Sequence, residues 1–334
     1  MKIPHFSYLL LIAFIFSSCQ TANLKKYSFK SRQMGVEFRI DVFSESDPQE
    51  AVEKAFDRIA ALNQIMSDYL VDSELWKLSE SSGNNNKIKV SDDLWKVLNS
   101  AQQFNTLSHG AFDITAGPYF LLWRKSRVIK SLPSARSSKR AANKVGMEKV
   151  LFNKKDRTVE LTAAKMRLDL GGIAKGYAAD EALRVLREEG VDFAMVDGSG
   201  DIAMTAHPEG SWPIFISDGV NESVEYIDFD GKAIATSGDA YQFVEIDGRR
   251  YSHIVDPKTG LGVTNRCRVT IIAPDCTTAD ALASTVTVLG PQKGMELVES
   301  LKGVEALVQQ KESGKIKHFK SSGFPELIKR KQND

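Results

Sequence analysis

The sequence predicts a mixed α+β fold with substantial antiparallel sheet and no Rossmann unit. Three observations lead there. The chain has 334 residues, 42% of them hydrophobic and 26% charged, which is ordinary for a globular chain long enough to bury a large core. Helix-period segments occupy much of its first half, and short apolar runs separated by turn residues crowd the second. Strands and helices do not alternate strictly, as a doubly wound parallel sheet requires, and no internal repeat is present. Forty-four Lys and Arg against 43 Asp and Glu leave a formal charge of +1, so no bulk field draws nucleic acid, and a nucleic-acid partner is not expected.

The chain opens with one Lys and an apolar block from about Tyr8 to Phe16, too short to span a bilayer but suited to the hydrophobic part of a signal peptide. Ser17 and Ser18 before Cys19 look like a lipobox, at which a bacterial lipoprotein is cut and acylated on the new N-terminal Cys. The expected organisation is a signal peptide over 1–18, a lipid-anchored tether over 19–26 and one folded domain over 27–330. The mature chain would then sit on the periplasmic side of a bacterial membrane, inner or outer, because several acyl chains anchor far better than one. In an oxidising compartment a disulfide between Cys267 and Cys276 is permitted, and two free, buried thiols are the favoured reading.

Tyr27 to Phe43 alternates like a strand, with Val36, Phe38, Ile40 and Val42 on one face, and Gln49 to Ser67 carries Ala51, Ala55, Ile59, Leu62 and Met66 at helical spacing. A second helix is expected over about Asp92 to Ser108, then an ordered turn from Gly110 to Pro118. The basic, Ser-rich stretch Lys125 to Lys144 reads as a surface loop leading into a short helix. Strands are expected at Lys149 to Phe152, Thr158 to Leu161 and Met166 to Leu170, and a helix from Ile173 to Glu189 with Gly190 at C′. Further strands at Phe193 to Val196, Trp212 to Ile216, Val224 to Asp228, Ala233 to Ser237, Tyr241 to Ile246 and Arg268 to Ile272 precede a helix from Thr278 to Leu289 and an αβ tail.

Three segments carry chemistry. In Arg167-Leu-Asp-Leu-Gly-Gly-Ile-Ala-Lys-Gly-Tyr-Ala-Ala-Asp180 an extended run enters a Gly-Gly turn and then a helix, so free N–H groups and the positive helix end can face a phosphate, with Lys175 adding a cation and Asp169 able to hold a ligand hydroxyl or amino group. Neither a Walker loop nor G-x-G-x-x-G is present; standing alone, the unit reads by default as a tight β-to-α connection with Lys175 in solvent. His253 lies before the turn Asp256-Pro-Lys-Thr-Gly260; an unperturbed imidazole pKa near 6.5 suits a general base, and a histidine packed under its loop is the plain alternative. In Thr277-Thr-Ala-Asp-Ala-Leu-Ala-Ser-Thr285, Thr277 or Thr278 is expected to cap a helix. Asp280 and Ser284 stack four apart, offering hard oxygens to Mg²⁺ or a first-turn carboxylate to the helix dipole.

Together these segments resemble the ApbE family of FAD:protein FMN transferases. The likeness runs from about Met34 to Gly290 through Met34-Gly35, Ser67-Asp-Tyr69 with Asp72-Ser-Glu-Leu75, Gly110-Ala-Phe-Asp113 with Gly117-Pro118, Asp169 to Asp180, Ala235-Thr-Ser-Gly-Asp239, His253-Ile-Val-Asp-Pro257 and Ala279-Asp-Ala-Leu-Ala283, in that order. The resemblance implies a two-lobed fold with FAD in a cleft, its ends held by Met34, Tyr69, Ala111, Phe112, Asp113, Asp169, Lys175 and the backbone near Ile254. It implies Mg²⁺ on the Gly172 carbonyl, the Asp280 carboxylate and, where the family usually has Thr, the Ser284 hydroxyl. The implied reaction moves FMN from FAD to a Thr or Ser hydroxyl of an acceptor flavoprotein, such as a subunit of a membrane electron-transfer complex, and releases AMP; His253 is the candidate base. Asp197 and Ser199 depart from the usual Asn and Gly. Two other readings compete. One is an FAD pyrophosphatase, against which Tyr69 leans; the other is a non-catalytic FAD-carrying lipoprotein, disfavoured by the combination of Asp280, Ser284 and His253.

Overall fold

A computed structural model describes residues 23–216, 224–229, 232–238, 242–312, 314–326 and 328–330. Cys19 and Asp239 lie outside the described residues. Eight strands, Lys25–Gln33, Val36–Ser44, Phe193–Asp197, Asp201–Met204, Ala233–Gly238, Cys267–Ala273, Glu305–Glu312 and Lys315–Lys320, form one sheet in their order along the chain. Every neighbouring pair in it is antiparallel.

Helices enter this meander as insertions. Between the second and third strands come α1 (Gln49–Met66), α2 (Glu74–Glu80), α3 (Asp92–Leu107), α4 (Gly117–Ile129), α5 (Ala135–Ala142) and α6 (Ala174–Glu188); α7 (Cys276–Leu289) and α8 (Pro291–Glu299) follow the sixth strand. The period-2 alternation decides which residues meet them. Phe38, Ile40, Val42, Ala194 and Val196 point into one core with α1 and α6, and Val269, Ile271, Ala306 and Val308 continue that face under α7 and α8. The intervening Met195, Ile234, Ile272 and Leu307 point the other way. There they meet Trp212, Ile214, Ile227 and Phe229 of a smaller sheet, Trp212–Ile216, Val224–Phe229 and Ile328–Arg330. The central strands of the main sheet are thus buried on both faces, with α6 and α7 side by side on the helical one.

Local structure departs from the sequence reading at several points. Tyr27 to Phe43 is a hairpin rather than one strand. Gln33 pairs with Val36 across a two-residue turn, Met34-Gly35, in which both residues have positive φ, 49° and 80°, as a tight hairpin with right-handed strand twist requires. Lys125 to Ile129 is not loop; it continues α4, which begins with Pro118 in its first turn and ends at Lys130 in the left-handed conformation. Met166 to Leu170 joins no strand: the Leu168 amide donates to Ser79 Oγ and that of Asp169 to the Ile114 carbonyl, so neither has a ladder to enter. Neither Thr277 nor Thr278 caps α7. Asp275 is the N-cap, accepting from the Thr278 amide at 2.7 Å, while Asp180 of α6 accepts from the amides of Cys276 and Thr277. Of the strand expected over Tyr241 to Ile246, Tyr241 lies outside the described residues and Phe243–Ile246 is a strand. Cys267 and Cys276 are both buried thiols with no disulfide between them.

Candidate functional site

A cleft of about 620 Å³ opens between α4, the first turn of α6, the face of α7 that carries Asp280, Ser284 and Val288, the end of the strand Ala233–Gly238 and the loop after the strand Arg249–Ser252. The turn before α4 forms one wall. Asn105 Nδ2 donates to the Phe112 carbonyl, the Phe112 amide to Ser108 Oγ, and the Thr115 amide and hydroxyl to Asp113, so Ala111, Phe112 and Asp113 are held at the opening of a short helical turn. Burial pushes the Asp113 carboxyl up, against those two hydrogen bonds. The adjoining wall is α4, where Phe120, Trp123, Arg124 and Arg127 recur at helical spacing and line the cleft. Trp123 Nε1 donates to the Ser252 carbonyl and its ring meets Tyr251 edge-on, pinning the His253 loop to this helix.

Asp169 and Lys175 stand on either side of the Gly-Gly turn. Asp169 accepts from the Gly171 amide at 2.9 Å and pairs with Arg124 at 3.0 Å; Arg124 also reaches Asp68 and lies 4.3 Å over the Tyr69 ring. Burial, with Asp68 close by, lifts the Asp169 carboxyl to about 6. Lys175 Nζ is ion-paired with Asp201. Burial opposes its charge, but Asp201 and Asp280 outweigh it and hold the ammonium above the usual lysine range. Both carboxyls are themselves raised, first by burial. One cation therefore serves two buried carboxylates.

Asp280 Oδ2 accepts from the Gly176 amide at 3.1 Å, which docks α7 on α6. Only Gly fits at that crossing, since a Cβ on residue 176 would stand 2.2 Å from the Cys276 carbonyl oxygen. Ser284, one turn beyond Asp280, meets the Gly-Gly turn: a Cβ on Gly172 would lie 2.9 Å from Ser284 Oγ. Gly172, Asp280 and Ser284 thus line one cleft from two elements. Among the described residues no group of three or more His, Cys, Asp or Glu side chains could hold a metal. One carboxylate, a hydroxyl and a carbonyl instead fit a hard cation that completes its sphere with water and substrate phosphate, as Mg²⁺ does. A further positive charge is also what two carboxylates sharing one lysine lack.

The cleft lining includes Tyr69, Ala111, Phe112, Asp113, Asp169, Gly172, Lys175, His253, Ile254, Asp280 and Ser284. Met34 is not among them; at the tip of its hairpin it packs against the main core, and Val36, two residues on, reaches the cleft. His253 follows the strand Arg249–Ser252, with its amide and its Nδ1 both within hydrogen-bond distance of the Gln242 carbonyl. Ser199 sits beside the cleft at φ 64°, a conformation that favours the glycine usual in the resemblance. Asp197 Oδ1 accepts from the Gly200 amide, holding that loop. Sequence reasoning missed Arg124, Arg127 and Asp201. The period Phe120, Trp123, Arg124, Arg127 could have revealed the first two; nothing local marks Asp201 as the partner of Lys175.

The fold is shared with known proteins. The model of the ApbE family matches residues 34–308. An FAD:protein FMN transferase of Haemophilus influenzae is 29% identical over 96% of both chains, and one of Treponema pallidum is 31% identical over 86% of this chain and 85% of its own. Among solved structures, the flavin transferase ApbE of Vibrio cholerae superposes with a TM-score of 0.80 at 28% identity, covering 90% of this chain and 98% of that one. An ApbE protein of Thermotoga maritima gives 0.79 at 30% identity, covering 89% and 97%. Antiparallel sheet, inserted helices and cleft, with these relatives, define a transferase enzyme. The chain belongs to the ApbE family.

Proposed function

We propose that the protein transfers FMN from FAD to a Thr or Ser hydroxyl of an acceptor flavoprotein, releases AMP, and requires Mg²⁺. The observation that carries this reading is that one cleft is lined by Gly172, Asp280, Ser284, Lys175 and His253 together; storage of FAD would need neither hard oxygen ligands nor a base. The relatives named above are FAD:protein FMN transferases.

The acceptor oxygen bonds to the FMN-side phosphorus as the bond from that phosphorus to the AMP oxygen breaks. His253 takes the hydroxyl proton. Lys175 and the Gly172 amide stabilise charge that grows on the phosphoryl oxygens, the Gly171 amide being taken by Asp169. Arg124 and Asp169 hold the ligand at the Tyr69 side. Gly172, Asp280 and Ser284 would hold Mg²⁺, which supplies neutralisation of the pyrophosphate and of the departing AMP.

The test is incubation of the mature chain with FAD, Mg²⁺ and the Thr-bearing domain of a flavinylated membrane subunit. An acceptor heavier by one FMN with equimolar AMP supports the reading; FMN and AMP in solution with an unmodified acceptor would assign a pyrophosphatase. Ser284→Ala is expected to weaken Mg²⁺ activation several-fold while FAD affinity holds, and Ser284→Thr to be neutral or mildly improving, since Thr keeps the oxygen and adds a methyl that narrows the rotamer. A Mg²⁺ titration of initial rates separates these outcomes.

The second part of the proposal is an anchor. The apolar leader and Ser17-Ser18-Cys19 support cleavage before Cys19 and acylation there. Intact mass of the membrane-bound protein should show Cys19 as an acylated N-terminus, and Cys19→Ala should give an uncleaved or soluble exported form. Met1 retained without acyl chains would remove the anchor.

A further inference from the structure

A second hollow, about 510 Å³, lies on the far side of α4 from the cleft. Phe120, Trp123, Arg124 and Arg127 face the cleft, whereas Pro118, Leu121 and Leu122 face this groove, so the helix is a ridge between the two. Arg140 and Lys144, from α5 and the residues after it, and Lys165 and Arg167 add four cations to the groove walls against one carboxylate, Glu80. In a chain whose charges otherwise balance, that is a local field of one sign over an apolar floor.

The ridge itself is apolar and uncovered. Ten large apolar side chains are exposed among the described residues, and six of them, Tyr69, Val71, Leu121, Val128, Ile129 and Leu132, belong to α4, the turn after it and the segment that α4 touches through the Arg124–Tyr69 contact. Val128 is 82% exposed, one residue from Arg127 on the cleft wall. Large apolar groups concentrated at one place mark an interaction surface.

We infer that the acceptor protein lies across α4, its Thr or Ser entering the cleft and a neighbouring acidic and apolar stretch of its chain filling the basic groove beyond the ridge. The inference rests on the transferase reading and adds the surface that selects the acceptor. Charge complementarity decides the chemistry of that stretch, and continuity with the cleft decides its owner. Whatever covers the ridge must leave room for a hydroxyl to enter beside it, and the acceptor does so by construction.

Two variants test this, Arg140→Glu with Lys144→Glu, and Val128→Asp; none of these positions touches the cleft. Steady-state FMN transfer to the same acceptor domain is measured across ionic strength, with FAD binding alongside. The KM for acceptor should rise roughly tenfold in each variant, with kcat at saturating acceptor and FAD affinity unchanged. The wild-type KM should climb with salt, and the charge-reversed enzyme should lose that dependence. Unchanged KM in both variants overturns the inference. So does unchanged KM with lost sedimentation on phosphatidylglycerol vesicles, which would give the surface to a membrane. A wild-type enzyme that forms no protein-bound FMN would instead remove the transferase reading, and the docking surface with it.

Discussion

Asp280→Ala is expected to abolish Mg²⁺-dependent transfer, by three orders of magnitude or more, about 4 kcal/mol of transition-state stabilisation, while FAD affinity falls less than about tenfold. The asymmetry follows from what the side chain touches. In the proposed reaction Asp280 would hold the metal with Gly172 and Ser284, whereas the Phe112 turn, Asp169 with Arg124, and Ile254 line the cleft independently of it. The fold should survive, because Lys175 keeps its ion pair with Asp201 and the lost carboxylate was one of two competing for that cation. Removing Asp280 also relieves a repulsion that raises Asp201, so the remaining pair is better matched. Asp280→Asn tests the same point with the volume kept: its amide oxygen can still accept from the Gly176 amide. Single-turnover transfer over a Mg²⁺ series, FAD binding and a thermal melt are the three readouts. Undiminished transfer in either variant would remove the metal assignment.

His253→Ala is expected to cut transfer by roughly 10²–10⁴, as general-base removal does, with FAD still bound. Its loop should hold, since the backbone amide of residue 253 bonds the Gln242 carbonyl whatever the side chain, and Ser252 remains tied to Trp123. The pH profile under saturating FAD sharpens the test. A base works only when unprotonated, so the rate should fall as pH drops, and His253→Ala should lack that acid limb. Asp169, lifted to about 6, titrates in the same range, as can the raised Asp201; a limb from either would persist in the variant. If the variant keeps both rate and acid limb, the proton goes elsewhere, with Asp239, outside the described residues, the next candidate.

How much of this was legible beforehand depended on the range of the interaction. Local regularities were readable. The helical spacing from Ala51 to Met66 marked α1, Thr158 to Leu161 is a strand as expected, and Gly190 ends α6 at positive φ. The motifs naming the family were readable too, because Gly-Gly before a helix and Asp280 four residues before Ser284 are constraints on neighbouring backbone. Met34-Gly35 was read as a ligand motif, yet its chain-folding role is the two-residue hairpin turn, which turns a single alternating run into two strands.

The sequence by itself determined the class, the succession of most strands and helices, and the residue types that carry the chemistry, since period, turn residues and helix ends act over a few residues. Tertiary structure decided which of them meet. Met166 to Leu170 has strand-like composition, but its amides are taken by Ser79 and Ile114 from distant segments, so it becomes the extended approach to the Gly-Gly turn. Asp180, not a threonine, satisfies the first amides of α7, because α6 lies alongside. Arg127 reaches the cleft because α4 extends through a stretch whose basic character suggested a loop. Asp201 faces Lys175 from a strand 26 residues away, and no local pattern encodes that pairing. Burial then raised the carboxyls of Asp113, Asp169, Asp201 and Asp280, while Asp201 and Asp280 kept Lys175 charged against its own burial, properties of packed surroundings that residues acquire only when the chain has closed around them.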